Sequence, residues 1–108
     1  MTWTRLCGTA DLPPLAARVF EVGDLSLAAS RSGDRVFVLE NRCSHDDGPI
    51  GEGRLAADGA EIECPRHGAR FDVATGRATR MPAVTGIAAF AAKIDGEGVW
   101  VDLPEDAR

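Results

Sequence analysis

Apolar residues fall along this chain in short runs broken by glycine and proline, and no stretch keeps a helical period for three turns without a breaker. Two runs show the pattern at its clearest. Val99, Val101 and Leu103 recur at every second position, which puts a single apolar face inward. Val36, Phe37, Val38 and Leu39 are apolar on both faces, which predicts a central strand. The same reading places strands at residues 2–7, 18–22, 25–30, 35–40, 61–64, 69–73, 87–94 and 99–103. Turn chemistry occupies several joints: Arg31-Ser32-Gly33-Asp34, Ala57-Asp58-Gly59 and Asp95-Gly96-Glu97-Gly98 are hairpin candidates. Short, evenly spaced strands predict an all-β fold, an antiparallel sandwich or barrel. Residues 41–81 differ from their flanks in being richer in glycine, charge and possible ligands, and read as a loop-rich subdomain inserted into the β scaffold.

Length and charge narrow the picture. A chain of 108 residues suits one domain, residues 1–108, with one core and no room for a catalytic domain beside a carrier domain. Seventeen acids against twelve bases give a net charge of −5, which argues against a phosphate-tracking surface for nucleic acid. Aromatic residues make up 6% with no tyrosine, too few for a base-stacking platform. The start, MTWTRLCGTADLPPL, lacks the basic and apolar regions of a secretory leader, and no apolar run approaches about 18 residues. The expectation is a soluble, cytoplasmic protein that binds neither nucleic acid nor membrane.

The candidate chemistry lies in three cysteines and two histidines. Cys43 precedes His45 in RCSHDDGP, Cys64 precedes His67 in CPRHGARFD, and 18 residues (46–63) separate the pairs. Each pair is mixed. Zinc fingers usually group two cysteines in one short spacing and two histidines in another, around a single ion. One thiolate and one imidazole from each loop suit a two-iron cluster better, with the thiolates on one iron and the imidazoles on the other. Zinc in a Cys2His2 site stays open at this point, as part of a zinc-stabilised interaction module.

Cys-x-His, a gap of this length and then Cys-Pro-x-His-Gly resemble the cluster-binding signature of Rieske proteins. The following HGARFDVATGRA and the ending KIDGEGVWV are similar to Rieske-type ferredoxins, so the resemblance spans nearly the whole chain. It implies a Rieske-type β-sandwich and one [2Fe–2S] cluster, with Cys43 and Cys64 on one iron and His45 and His67 on the other. It also implies a monomeric one-electron carrier rather than an enzyme. Its donor would be a flavin-dependent ferredoxin reductase, and its acceptor the terminal oxygenase of an aromatic-ring dioxygenase or related system. An accessory ferredoxin for iron–sulfur cluster assembly is the alternative that the same fold permits. No histidine is left over for the mononuclear iron of an oxygenase, which takes two histidines and a carboxylate.

The chain departs from the quinol-oxidising branch of that family, whose ligand loops carry an extra cysteine each, joined as a disulfide. Gly48 and Arg66 stand at the matching positions, so that bridge cannot form. Ala69 and Phe71 replace a serine and a tyrosine that donate hydrogen bonds to the cluster there, which implies a potential toward the lower end of the Rieske range. By resemblance, Pro82 in MPAVTG belongs to a third loop over the cluster. Pro49, Ile50 and Phe71 are expected to limit water around the sulfides, with both imidazoles at an exposed tip. Cys7 reads as a half-buried packing residue on one face with Trp3 and Arg5. Arg42 and Arg66, beside ligands, are candidates for partner contact, and Asp46 and Asp47 are expected to point to opposite sides of an extended segment.

Overall fold

A computed structural model describes residues 2–104. Among the described residues there are eleven strands: β1 (Thr2–Gly8), β2 (Ala17–Val22), β3 (Leu25–Ser32), β4 (Arg35–Glu40), β5 (Arg54–Leu55), β6 (Glu61–Glu63), β7 (Arg70–Asp72), β8 (Ala78–Arg80), β9 (Ala89–Phe90), β10 (Ala92–Asp95) and β11 (Gly98–Leu103). They pair antiparallel in three sheets, ordered β1-β11-β10, β2-β3-β4-β9 and β5-β6-β7-β8. The fold is all-β, as the alternating pattern predicts. Among the described residues, no helix is long and apolar enough to cross a membrane.

The doubly apolar run at 36–39 has a direct explanation. β4 lies inside the middle sheet, between β3 and β9, and that sheet separates two apolar clusters. Val36 and Val38 point into the first cluster, where Leu27 and Ala29 of β3 meet Val99, Val101 and Leu103 of β11. Leu39 and Ala28 point the other way, into the second, with Phe37 packed against it. Strands covered on both faces cannot alternate apolar with polar. The second cluster contains Ile50, Ile62, Phe71, Val73, Ala83 and Ile87, together with Cys43 and Cys64. It forms the floor beneath the loops that carry the candidate ligands.

All three anticipated turns form, with φ of 61° at Gly33, 75° at Gly59 and 62° at Gly96. Three local readings change. The run at 87–94 is two short strands with Ala91 between them, because β9 pairs with β4 while β10 pairs with β11. β5 and β8 were not anticipated. Cys7 does not share a face with Trp3 and Arg5: the register slips between Arg5, opposite Trp100, and Cys7, opposite Val99. One extra residue in a strand reverses the facing of everything after it. The thiol of Cys7 is therefore buried in the first cluster, while Trp3 and Arg5 face outward.

Candidate metal centre

Two loops carry the four candidate ligands. The second, residues 64–69, closes the hairpin of β6 and β7, whose last pair is Glu63 with Arg70. The N–H of Cys64 donates to the carbonyl of Ala69 at 2.7 Å, and the N–H of Gly68 donates to the carbonyl of Cys64 at 3.1 Å. Gly68 has a φ of 76°, a left-handed conformation that glycine adopts without penalty.

The first loop, residues 43–48, repeats these bonds at the same offsets: Cys43 N–H to Gly48 carbonyl at 2.7 Å, and Asp47 N–H to Cys43 carbonyl at 2.7 Å. Its left-handed residue is Asp47, with a φ of 61°. Aspartate is among the few residues with a Cβ that enter this region at modest cost. The unequal spacings Cys-x-His and Cys-x-x-His thus sit on equal turns. No hairpin supports the first loop. Asn41 does so instead: its Oδ1 accepts the N–H groups of Ile50 at 2.8 Å and Gly51 at 2.7 Å, and its Nδ2 donates to Ser26 Oγ at 3.0 Å.

These turns sort the donors by depth. Cys43 and Cys64 are 0% and 1% exposed in the apolar floor, whereas the side chain of His67 is 52% exposed and His45 is also at the surface. The two imidazole rings stand edge to face with centroids 5.2 Å apart. Burial pushes the Cys43 thiol up in pKa; the N–H groups of His45 and Asp46 oppose this, and the neighbouring Cys64 adds to it. A bound cation reverses that preference, since the thiolate is the form that ligates metal. Among the described residues, the donor atoms that converge within 4.8 Å of one another belong to Cys43, Asp46 and Cys64, without either imidazole. A single tetrahedral zinc requires all four around one point. Two thiols below and two imidazoles above fit a cluster with two irons.

Charged groups frame the loops. Arg66 reaches across to Asp46, with Nε 2.5 Å from Oδ2 and Nη2 3.0 Å from Oδ1, and its Nη1 donates to the Pro49 carbonyl at 2.8 Å. That guanidinium, and then the N–H of Gly48, hold the Asp46 carboxyl well below the usual carboxylate range. Asp46 Oδ2 also lies 3.4 Å from His67 Nδ1. Arg42 pairs with Asp47 at 2.7 Å and Glu40 at 3.3 Å, and Arg70 pairs with Glu63 at 3.1 Å. The third loop, residues 81–86, meets the first, where Ser44 Oγ donates to the Thr85 carbonyl. Its Ala83 is buried, while Met81 and Val84 are exposed.

All four sequence-predicted ligands come to one end of the molecule. Ile50 and Phe71 lie beneath them, fully buried, but Pro49 is exposed and contributes only its carbonyl. Arg42 and Arg66 are engaged within the chain. Asp46 and Asp47 do diverge, through a turn at Asp47 and not an extended segment. Asn41 was not singled out from the sequence; a side-chain amide just before a ligand loop is a common enough turn residue to pass unnoticed.

The arrangement matches known proteins. Residues 2–91 match the Rieske [2Fe–2S] domain. Over 103 residues the chain is 36% identical to the ferredoxin component of biphenyl 2,3-dioxygenase from Rhodococcus jostii (strain RHA1), covering 95% of this chain and 94% of that one. The solved ferredoxin of carbazole 1,9a-dioxygenase from Nocardioides aromaticivorans IC177 superimposes with a TM-score of 0.90 at 34% identity, covering 96% of this chain and all of that one (100%). A carbazole 1,9a-dioxygenase structure, a complex of reduced oxygenase and oxidized ferredoxin, includes a chain that matches with a TM-score of 0.81 at 33% identity, covering 94% and 97%. Its fold, its four candidate donors and above all these likenesses place this chain in the Rieske [2Fe–2S] domain family.

Proposed function

We propose that this chain is the ferredoxin of a ring-hydroxylating oxygenase system, with residues 41–81 as its cluster-binding subdomain. Cys43 and Cys64 hold one iron as thiolates, and His45 and His67 hold the other as imidazoles. A [2Fe–2S] cluster so bound accepts and gives up one electron at a time. The observation that carries this reading is the sorting of donors by depth, with thiols in the apolar floor and imidazoles at the surface. Ile50, Phe71 and their neighbours keep water from the thiolate side, while the imidazole edges offer a partner close approach. Electrons arrive from a flavin-dependent ferredoxin reductase and leave to a terminal oxygenase, the ferredoxin working as a cytoplasmic monomer.

Absorption and EPR spectra of the purified protein, with iron and sulfide analysis, test the ligand assignment. The expected result is a red-brown protein that bleaches with dithionite and then gives a Rieske-type EPR signal, with colour lost in both Cys64→Ala and His67→Ala. A colourless, zinc-loaded protein overturns the reading. Reconstitution with a flavin reductase and an aromatic-ring oxygenase tests the partners, and product formation that depends on adding this chain is expected.

A further inference from the structure

The two ligand loops are joined by one side-chain device. Arg66 forks onto both oxygens of Asp46, 20 residues away in sequence, and its remaining terminal nitrogen holds the Pro49 carbonyl. Asp46 Oδ2 also lies 3.4 Å from His67 Nδ1 across the same gap, and the Cys43 and Cys64 thiols adjoin one another. Among the described residues, the fork on Asp46 is the bidentate contact that joins the two loops. The guanidinium lies against Gly48, where a Cβ would come within 2.6 Å of Cζ and Nη2 of Arg66. Glycine at 48 therefore makes room for arginine at 66. The pair is partly shielded, with side chains 34% and 20% exposed, and bidentate arginine–carboxylate geometry is the strongest form of such a contact.

We propose that Arg66 is a positioning residue: its fork on Asp46, laid across Gly48, clamps the two ligand loops together and limits the rate at which the cluster is lost. The inference rests on the reading that these loops hold a cluster. Each loop carries one thiolate and one imidazole, so separating the loops would break at least two metal–ligand bonds, the pair contributed by one loop. A clasp between them opposes that separation without touching iron. It spans positions 48 and 66 by charge and hydrogen bonding, with no covalent link.

The test follows iron release from the cluster-loaded protein to a colorimetric chelator, alongside the midpoint potential. Arg66→Gln and Asp46→Asn are each expected to release iron about tenfold faster, and the double variant no faster than Asp46→Asn alone, since either single change already removes the fork and only Asp46→Asn also alters the 3.4 Å contact with His67 Nδ1. The potentials separate a clasp from a general loss of packing. Removing the cation lowers the midpoint and removing the anion raises it, while both changes speed release. Arg66→Lys keeps the charge without the fork, so it holds the midpoint and still releases iron faster. Gly48→Ala, which displaces the guanidinium and leaves both charges, gives the same reading should Arg66→Gln fail to accumulate. Release within twofold of wild type in both single variants, or multiplied effects in the double, overturns the proposal. A wild-type protein without a [2Fe–2S] cluster overturns the functional reading instead.

Discussion

The two ligand loops have one backbone and two kinds of support. Residues 43–48 and 64–69 share the same pair of hydrogen bonds at the same offsets, and both turn through a left-handed residue in the fifth position. The second loop is the tip of a hairpin, so the ladder between β6 and β7 fixes its ends. The first leaves β4 with no partner strand on its far side, and a single amide side chain, Asn41, anchors its exit to β3 through Ser26. A turn that carries candidate metal ligands can thus be repeated in one fold provided each copy has its ends held. The difference lies in where the fragility sits: spread along a backbone ladder in one loop, and carried in the other by a few side chains, of which Asn41 alone holds two backbone N–H groups.

That contrast is broken most severely at Asn41. Asn41→Ala leaves the N–H groups of Ile50 and Gly51 without their acceptor in a partly buried place, and is expected to cost about 2–3 kcal/mol. Asn41→Asp keeps the acceptor oxygen and should cost much less, since Ser26 can turn its hydroxyl to donate. Denaturant midpoints of the two cluster-loaded variants, measured anaerobically, give the comparison. Equal losses in both would mean that Oδ1 is not what anchors the first loop.

Next in size is the left-handed position of the second loop. A Cβ at Gly68 meets no atom within 4 Å, so Gly68→Ala isolates backbone strain from steric clash. With φ at 76°, the expected loss is about 1–2 kcal/mol. The same midpoint measurement checks it, and an unchanged midpoint would show that the turn relaxes out of the left-handed region at no cost.

Such contrasts explain how far the sequence could be read. The long strands and the four candidate ligands were legible because each has a signal of its own: alternation at Val99, Val101 and Leu103, two-sided apolarity at 36–39, and mixed donor spacing in RCSH and CPRH. What was missed depends on partners. β5 and β8 are two and three residues long, and exist only because β6 and β7 are there to pair with. The slip after Arg5 that turns Cys7 inward is a property of the register with β11 and has no local mark. Arg42 and Arg66 looked free for a partner because a sequence does not say which carboxylate faces which arginine. The equality of the two loops was hidden by the unequal Cys–His spacings, which displace the histidine by one place on the same turn.

The smallest effect is expected at the counterpart of Gly68 in the first loop. Asp47→Gly relieves the left-handed strain that a Cβ imposes at a φ of 61°. Against this, it frees the unfolded chain by about 0.4–1 kcal/mol, and it removes the ion pair with Arg42. That pair joins two exposed side chains, 41% and 81% accessible, so screening leaves it little net value. The opposing contributions should leave the denaturant midpoint almost unchanged, within about 0.5 kcal/mol. Introducing glycine in one loop and removing it from the other therefore differ in size although the backbone positions correspond. A clear destabilisation by Asp47→Gly would mean that the Arg42 contact, and not the backbone alone, keeps the first loop turned, and salt would then weaken the wild type toward the variant.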